Sequence, residues 1–276
     1  MNHANVPHKT HWSRHAVFWD SFGSPLRPHR EDVGHVVSHV LRETPLPVLL
    51  LMGVTPEYAR TAWPQGTRMT AVDRCPEMIR SVWPADHVPT TFRVTQAEWT
   101  ALPLANHAVD AVIGDGITTV LPRWEEIDTV LSEVHRVLRP GGLALMRLFV
   151  KPVDSESPDQ LLKSLLCGPT LGFHSFKLRL LMALQPSLSA GVAPRDAYRW
   201  WKDLEATHPE ALVRHAWTQD QRHTISFYEA SPDRYWFPTE AELTRSFVKY
   251  FTVKEVIYSS YESADRCPLF VLHRKN

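Results

Sequence analysis

Apolar positions along this chain follow two alternating periods. Residues 46–52 (LPVLLLM) form a continuous apolar run, the pattern of a strand covered on both faces. Residues 68–72 (RMTAV), 91–94, 109–113 (VDAVI) and 143–150 are four more short strand patterns. Helical signals lie between and before them. Residues 31–42 carry Val33, Val36, Val37, Val40 and Leu41 at helical spacing. Thr55-Pro56-Glu57 joins a hydroxyl cap, a proline suited to the first helical position and a first-turn carboxylate. A helix is expected over 76–82. Residues 124–138 put Ile127, Val130, Leu131, Val134 and Leu138 on one face before Arg139-Pro140-Gly141-Gly142 stops the helix. Strands and helices in alternation predict right-handed crossovers and an α/β fold with a doubly wound, mostly parallel sheet.

The character changes after residue 150. Ser157-x-x-Gln160 is a capping box opening a helix, and helical spacing recurs over 176–184 and 193–206. Residues 222–228 look extended. Trp200, Trp201, Trp217 and Trp236 fall in this block. A second box, Thr239-x-x-Glu242, precedes two final strand patterns at 251–258 and 268–273, which should close the sheet with an antiparallel strand. Four parts are expected: an N-terminal segment and helix (1–45), an α/β core (46–150), a helical insertion (151–238) and the C-terminal part of the core (239–276).

Composition narrows the class. The chain has 276 residues, with 30 Lys+Arg balancing 30 Asp+Glu, so it has no basic footprint of the kind nucleic acids or anionic membranes call for. The longest apolar run, 48–54, is too short to span a bilayer. Three cysteines, Cys75, Cys167 and Cys267, make no close pair and read as reduced thiols of a cytoplasmic protein. The start of the chain lacks the apolar stretch of a signal peptide. His3, His8, His11 and His15 have no carboxylate partner nearby, and His35 and His39 share a polar helix face, so no metal site is expected.

In an open parallel sheet, ligands bind beyond the carboxyl ends of the strands. After the first strand stands Gly53, where backbone can approach a ligand, followed by Thr55 and a helix start. After the second comes Asp73, twenty positions on, placed to accept both hydroxyls of an adenosine ribose. After the third come Glu98 and Trp99, whose carboxylate and backbone N–H suit an adenine edge. A dinucleotide fold would also need GxGxxG against the pyrophosphate; Thr55, Pro56 and Tyr58 fill that loop, so a nucleoside without phosphates fits better.

These segments resemble the class I S-adenosylmethionine-dependent methyltransferases. LLLMGVTPEYA, TAVDRCPEMI, EWTALPLANHAVDAVIGDG, EVHRVLRPGGLALMRLF, PTEAELTRSF and CPLFVLHR occur in that family's order and spacing. The resemblance implies a Rossmann-like methyltransferase fold and S-adenosyl-L-methionine as cofactor. It makes Asp73 the ribose anchor within Asp73-Arg74-Cys75-Pro76-Glu77-Met78. Met78 would flank the adenine, Glu98 would read it, and Gly114-Asp115-Gly116 would line the methionine and sulfonium portion. Leu51 replaces the usual acidic residue before the loop, and the GVTPE loop with a preceding SPLRP element (24–28) resembles one subgroup. There Arg27 is a candidate for the cofactor's carboxylate.

Asp115 is the expected catalytic residue if a proton must be taken, with His174 and His223 behind it. The family's amino-methyltransferase signature for nucleic acids is absent near 115–118, and no Pro-Cys dipeptide exists. A small-molecule acceptor is therefore expected, with no nucleic acid or membrane partner. Trp200, Trp201, Tyr235 and Trp236 are candidates for its apolar pocket. The rival readings are a non-catalytic binding module on the same fold and a nicotinamide oxidoreductase.

Overall fold

The apolar run around residue 50 becomes β1 (Val48–Met52), whose last four residues are buried because it lies in the middle of a sheet with no wet face. This computed structural model describes residues 11–276, so His3 and His8 and the side chain of His11 lie outside the described residues. Six strands join β1: β2 (Arg68–Asp73), β3 (Phe92–Gln96), β4 (Val109–Asp115), β5 (Leu138–Arg147), β6 (Phe251–Ile257) and β7 (Leu269–Arg274). Their order across the sheet is β3-β2-β1-β4-β5-β7-β6. The first five run parallel, and β7 runs antiparallel to both β5 and β6. The chain winds outward from β1 to β3 and then returns to the other side of β1 as β4. That reversal opens a crevice at the strands' carboxyl ends.

Helices α1 (His11–Val17) and α2 (Arg30–Glu43) precede the sheet. The short α3 (Pro56–Ala59) and α4 (Pro76–Val82) lie in the crossovers after β1 and β2, and α5 (Ile127–Val137) joins β4 to β5. Ile127, Val130, Leu131, Val134 and Val137 of α5 are all buried, the stripe that helical spacing predicts. The expected helix at 124–126 is instead a 3-10 turn. Leu138, expected to end the helix, already pairs with Val109. Residues 139–142 then loop out of register before Leu143 pairs with Ala111. Gly142 has to lack a side chain there: a Cβ would lie 2.9 Å from the carbonyl oxygens of Arg139 and Asp110.

The block after β5 is helical: α6 (Pro158–Cys167), α7 (Phe173–Leu184), α8 (Pro194–Thr207), α9 (Pro209–His215) and α10 (Gln219–Ser226). Residues 219–226 correct the expectation of an extended segment. β-Branched and aromatic side chains there favour a strand, but Thr218 and Gln221 form a reciprocal capping box at 3.2 and 3.0 Å that starts a helix. Phe173 packs edge-on against Trp201 (5.3 Å between centroids), and Phe176 stacks on Trp217 (5.0 Å), so these tryptophans fill the helical block's own core. Trp236 belongs to the sheet's core and donates its indole N–H to the Leu121 carbonyl at 2.8 Å. Finally α11 (Glu240–Phe247), capped by Thr239 and Glu242, leads into β6. Among the described residues no helix is long and apolar enough to cross a membrane.

Candidate functional site

The ends of β1, β2 and β4 meet at one carbonyl. The Val72 oxygen accepts the Gly53 N–H and the Trp99 indole N–H, each at 2.8 Å. This fixes Gly53 with φ at +92°, a conformation suited to glycine. It also holds the indole of Trp99 in the wall, where its backbone alone had a proposed role. A Cβ on Gly53 would face Asp73 Oδ2 and the Trp99 ring at 3.9 Å. The bare backbone therefore opens toward the Asp73 carboxylate.

Asp73 holds two positions at once. One carboxylate oxygen accepts the Cys75 N–H at 2.8 Å and so caps the turn into α4, while the residue also lines the cavity. Burial pushes its pKa up to about 6, against the pull of the Cys75 N–H and of Arg74. Thr55, Arg74, Met78, Glu98 and Trp99 line the same cavity, as do Asp115, Gly116 and Arg27. Gly114 is the exception among the expected residues. It does not line the cavity: a Cβ there would lie 2.6 Å from the Met146 sulfur, so its smallness serves packing inside the sheet. Gly116, with φ at +61°, sits against Phe149, whose ring a Cβ would meet at 2.9 Å.

Asp115 does not stand alone at its strand end. Its carboxylate receives a hydrogen bond from Arg147 Nη1, and that arginine is 0% exposed. Arg147 Nε donates to Asp32 of α2 at 3.0 Å, and Nη2 donates to the carbonyls of Pro25 and Arg27. Asp32 is further held by the Ser259 hydroxyl at 2.7 Å and the His29 N–H at 2.8 Å. Burial pushes the Asp115 carboxyl up to about 6, while the neighbouring guanidinium pulls it down. Arg147 was not among the expected site residues. Its signal is one charged residue inside the otherwise apolar pattern at 143–150.

Arg27 is likewise engaged. Its Nε donates to Glu57 Oε1 at 2.5 Å, Nη1 donates to the Trp19 carbonyl at 3.2 Å, and its guanidinium lies 5.1 Å from the Trp19 ring centroid. The other oxygen of Glu57 is buried without a hydrogen-bond partner. A carboxylate in the first turn of the GVTPE helix, read from the sequence as a capping feature, thus becomes part of the site's surroundings.

The far wall of the cavity is aromatic. Trp12, His15 and Phe22 come from the segment before β1, Phe149 follows β5, and Tyr228, Tyr235 and Phe237 come from the helical block and its exit. The two sources touch: His15 stacks on Phe22 at 4.9 Å and meets Phe227 and Tyr228 at 5.5 and 6.0 Å. Of the expected pocket aromatics only Tyr235 lines the cavity; Trp200, Trp201 and Trp236 do not, because they are spent on packing. His174 and His223 do not line it either. His174 donates from Nε2 to the Ser21 carbonyl at 2.9 Å, and burial together with Lys177 pushes its pKa down to about 3. His39 is bound to the His35 carbonyl and to Glu255. Among the described residues no group of three His, Cys, Asp or Glu could hold a metal ion.

Comparison with known proteins agrees with this geometry. Residues 52–146 match the family described as methyltransferase domain. The ubiquinone/menaquinone biosynthesis C-methyltransferase UbiE of Rubrivivax gelatinosus is 35% identical over 123 residues, which are 44% of this chain and 47% of that protein. The chain thus matches about half the length of that relative. The N-methyltransferase NodS from Bradyrhizobium japonicum, solved with S-adenosyl-L-homocysteine, aligns with a TM-score of 0.54 at 11% identity, covering 94% of this chain and 92% of that one. A Rhodobacter sphaeroides structure described as putative Zn-dependent alcohol dehydrogenases gives 0.59 at 15% identity, covering 95% and 98%. At such identities the structural likeness shows the fold alone.

Proposed function

This chain belongs to the class I S-adenosylmethionine-dependent methyltransferases, and we propose that it methylates an uncharged small-molecule acceptor held against the aromatic wall. The observation that carries the reading is the division of one cavity. Its sheet side offers Gly53, Asp73, Glu98 and Met78, whereas its far side offers rings and aliphatic side chains.

The residues fit the cofactor. Asp73 at about 6 is ionised at neutral pH and can accept both ribose hydroxyls, and the bare Gly53 backbone leaves room beside it. Met78 and Glu98 suit the adenine face and edge. Arg27, with the unsatisfied oxygen of Glu57 beside it, offers one charge of each sign to the amino-acid end. When bound, S-adenosyl-L-methionine supplies an electrophilic methyl group on a sulfonium. The protein's contribution is then positioning and exclusion of water. Asp115, expected to take a proton, is assigned a holding role instead, because its carboxylate is committed to Arg147. The apolar far wall opposes a nucleic-acid acceptor, which would need its phosphates neutralised. Three free cysteines support a reducing, cytoplasmic setting. Residues 1–45 and 151–238 act as covers on the α/β core formed by 46–150 and 239–276.

Formation of S-adenosylhomocysteine from S-adenosylmethionine across a pool of cell metabolites tests the reading, with equilibrium binding of S-adenosylhomocysteine, NAD and NADP beside it. Binding of S-adenosylhomocysteine without turnover on any pool would favour a non-catalytic binding module, the role that the altered glycine loop suggests. Preference for NAD or NADP would overturn both.

A further inference from the structure

The aromatic side of the cavity contains a polar feature that cofactor binding does not use. Tyr228 and Tyr235 are buried, their rings meet edge-on at 6.0 Å, and their side chains are hydrogen-bonded to each other. The bond favours ionisation of Tyr228 and disfavours that of Tyr235, so the Tyr235 hydroxyl is the donor. A phenol that accepts from its neighbour is polarised into a stronger donor. Around the pair, Phe22, Phe149, Leu178 and Phe237 bring no charge, and His15 is the ionisable side chain nearest to it on this wall.

The rings are held from behind. Lys177 does not line the cavity; its Nζ lies 4.8 Å from the Phe22 centroid and 4.7 Å from the Tyr228 centroid, and it donates to the Thr224 hydroxyl at 3.0 Å. Flat walls held in place favour a flat occupant, since ring contacts are strongest in offset or edge-on arrangements. A charged occupant would lose its hydration without gaining a counter-charge.

We propose that the Tyr228–Tyr235 pair is the acceptor-recognising element of the cavity, selecting a neutral, planar aromatic molecule with one hydrogen-bonding substituent on its ring. The proposal rests on the small-molecule methyltransferase reading for which half of the cavity the acceptor takes, but its test can be read without the cofactor.

The test is calorimetric titration of the full chain, with and without saturating S-adenosylhomocysteine, using 2-naphthol, 2-naphthyl phosphate and 1-decanol as probes. Naphthol should bind at least tenfold more tightly than the other two. Tyr228→Phe and Tyr235→Phe should each weaken naphthol by roughly 3- to 10-fold, the range for one lost hydrogen bond, with S-adenosylhomocysteine affinity within twofold of wild type. Naphthyl phosphate or decanol binding as well as naphthol, no naphthol binding at all, or two well-folded variants binding naphthol like wild type would each overturn the proposal. If neither variant folds, the wild-type ranking of the three probes decides. If S-adenosylhomocysteine fails to bind while naphthol ranks as expected, the methyltransferase reading falls and the tyrosine pair stands.

Discussion

Arg147 and Asp115 stand opposite each other at the ends of β5 and β4 and form a buried ion pair. Through the same guanidinium, Asp32 and the carbonyls of Pro25 and Arg27 are tied to the sheet. One side chain therefore joins the cavity's floor to the segment that covers it.

Removing that side chain should be costly. Arg147→Met leaves two buried carboxylates without their counter-charge, and loss of one partner of a buried pair costs about 3–5 kcal/mol. Chemical denaturation should show a drop of that size. Limited proteolysis should show faster cleavage within residues 16–30, because the Pro25 and Arg27 carbonyls lose their donor. Asp115→Asn keeps an acceptor for Arg147 and should cost less.

Asp73 gives the site a pH dependence of known sign. Its carboxyl titrates at about 6 in the folded protein, against 3.8 for an ordinary aspartate. The folded state holds this proton more tightly than the unfolded chain, so the contribution to stability is fully present below 3.8 and is lost as pH rises through about 6. Binding runs the other way, because ribose hydroxyls need the ionised acceptor. Calorimetry should show S-adenosylhomocysteine affinity falling as pH drops below about 6, a trend that Asp73→Asn should flatten. Asp73→Ala should weaken the ligand by about 1.5–3 kcal/mol, the value of a charge-assisted hydrogen bond.

Lys177 should shift stability in the alkaline direction. Full burial pushes its pKa well below 10.5, so the folded state prefers the neutral amine. Its stabilising contribution is complete above that ordinary value and declines as pH falls toward the folded pKa. Thermal melts at neutral pH and near pH 10 should therefore differ more for wild type than for Lys177→Met, which has no amine to protonate.

Two glycines separate backbone strain from contact. Gly141→Ala at φ +76° meets nothing within 4 Å, whereas Gly116→Ala at φ +61° meets the Phe149 ring at 2.9 Å. The left-handed backbone alone costs about 1–2 kcal/mol for alanine. Gly116→Ala should lose more stability than Gly141→Ala in parallel denaturation curves. Equal losses would mean that Phe149 moves aside freely.

The contrast between Asp73 and Arg147 explains what the sequence could reveal. Asp73 sits where a strand pattern ends, and its role follows from a local position that periodicity fixes. Arg147 takes its meaning from Asp32 and Pro25, more than a hundred residues away in the chain, and no local pattern encodes those partners. The tryptophans show the same limit. Their composition says that they will be buried, but only packing decides that Trp201 fills a helical core while Tyr235 faces the cavity. Residues 219–226 failed for a different reason: the capping box at Thr218 and Gln221 was legible, but the β-branched and aromatic run beside it pointed the other way.

The stacking of His15 on Phe22 and its contacts with Phe227 and Tyr228 join two segments that flank the core in sequence. Polar residues for the donor come from the ends of β1, β2 and β4, while the aromatic wall comes from before α2 and after β5. The two halves are separate modules of inheritance. Drift in the flanking segments can re-cut the shape offered to an acceptor and leave the donor's cradle untouched, so a common chassis can diversify its chemistry at its margins.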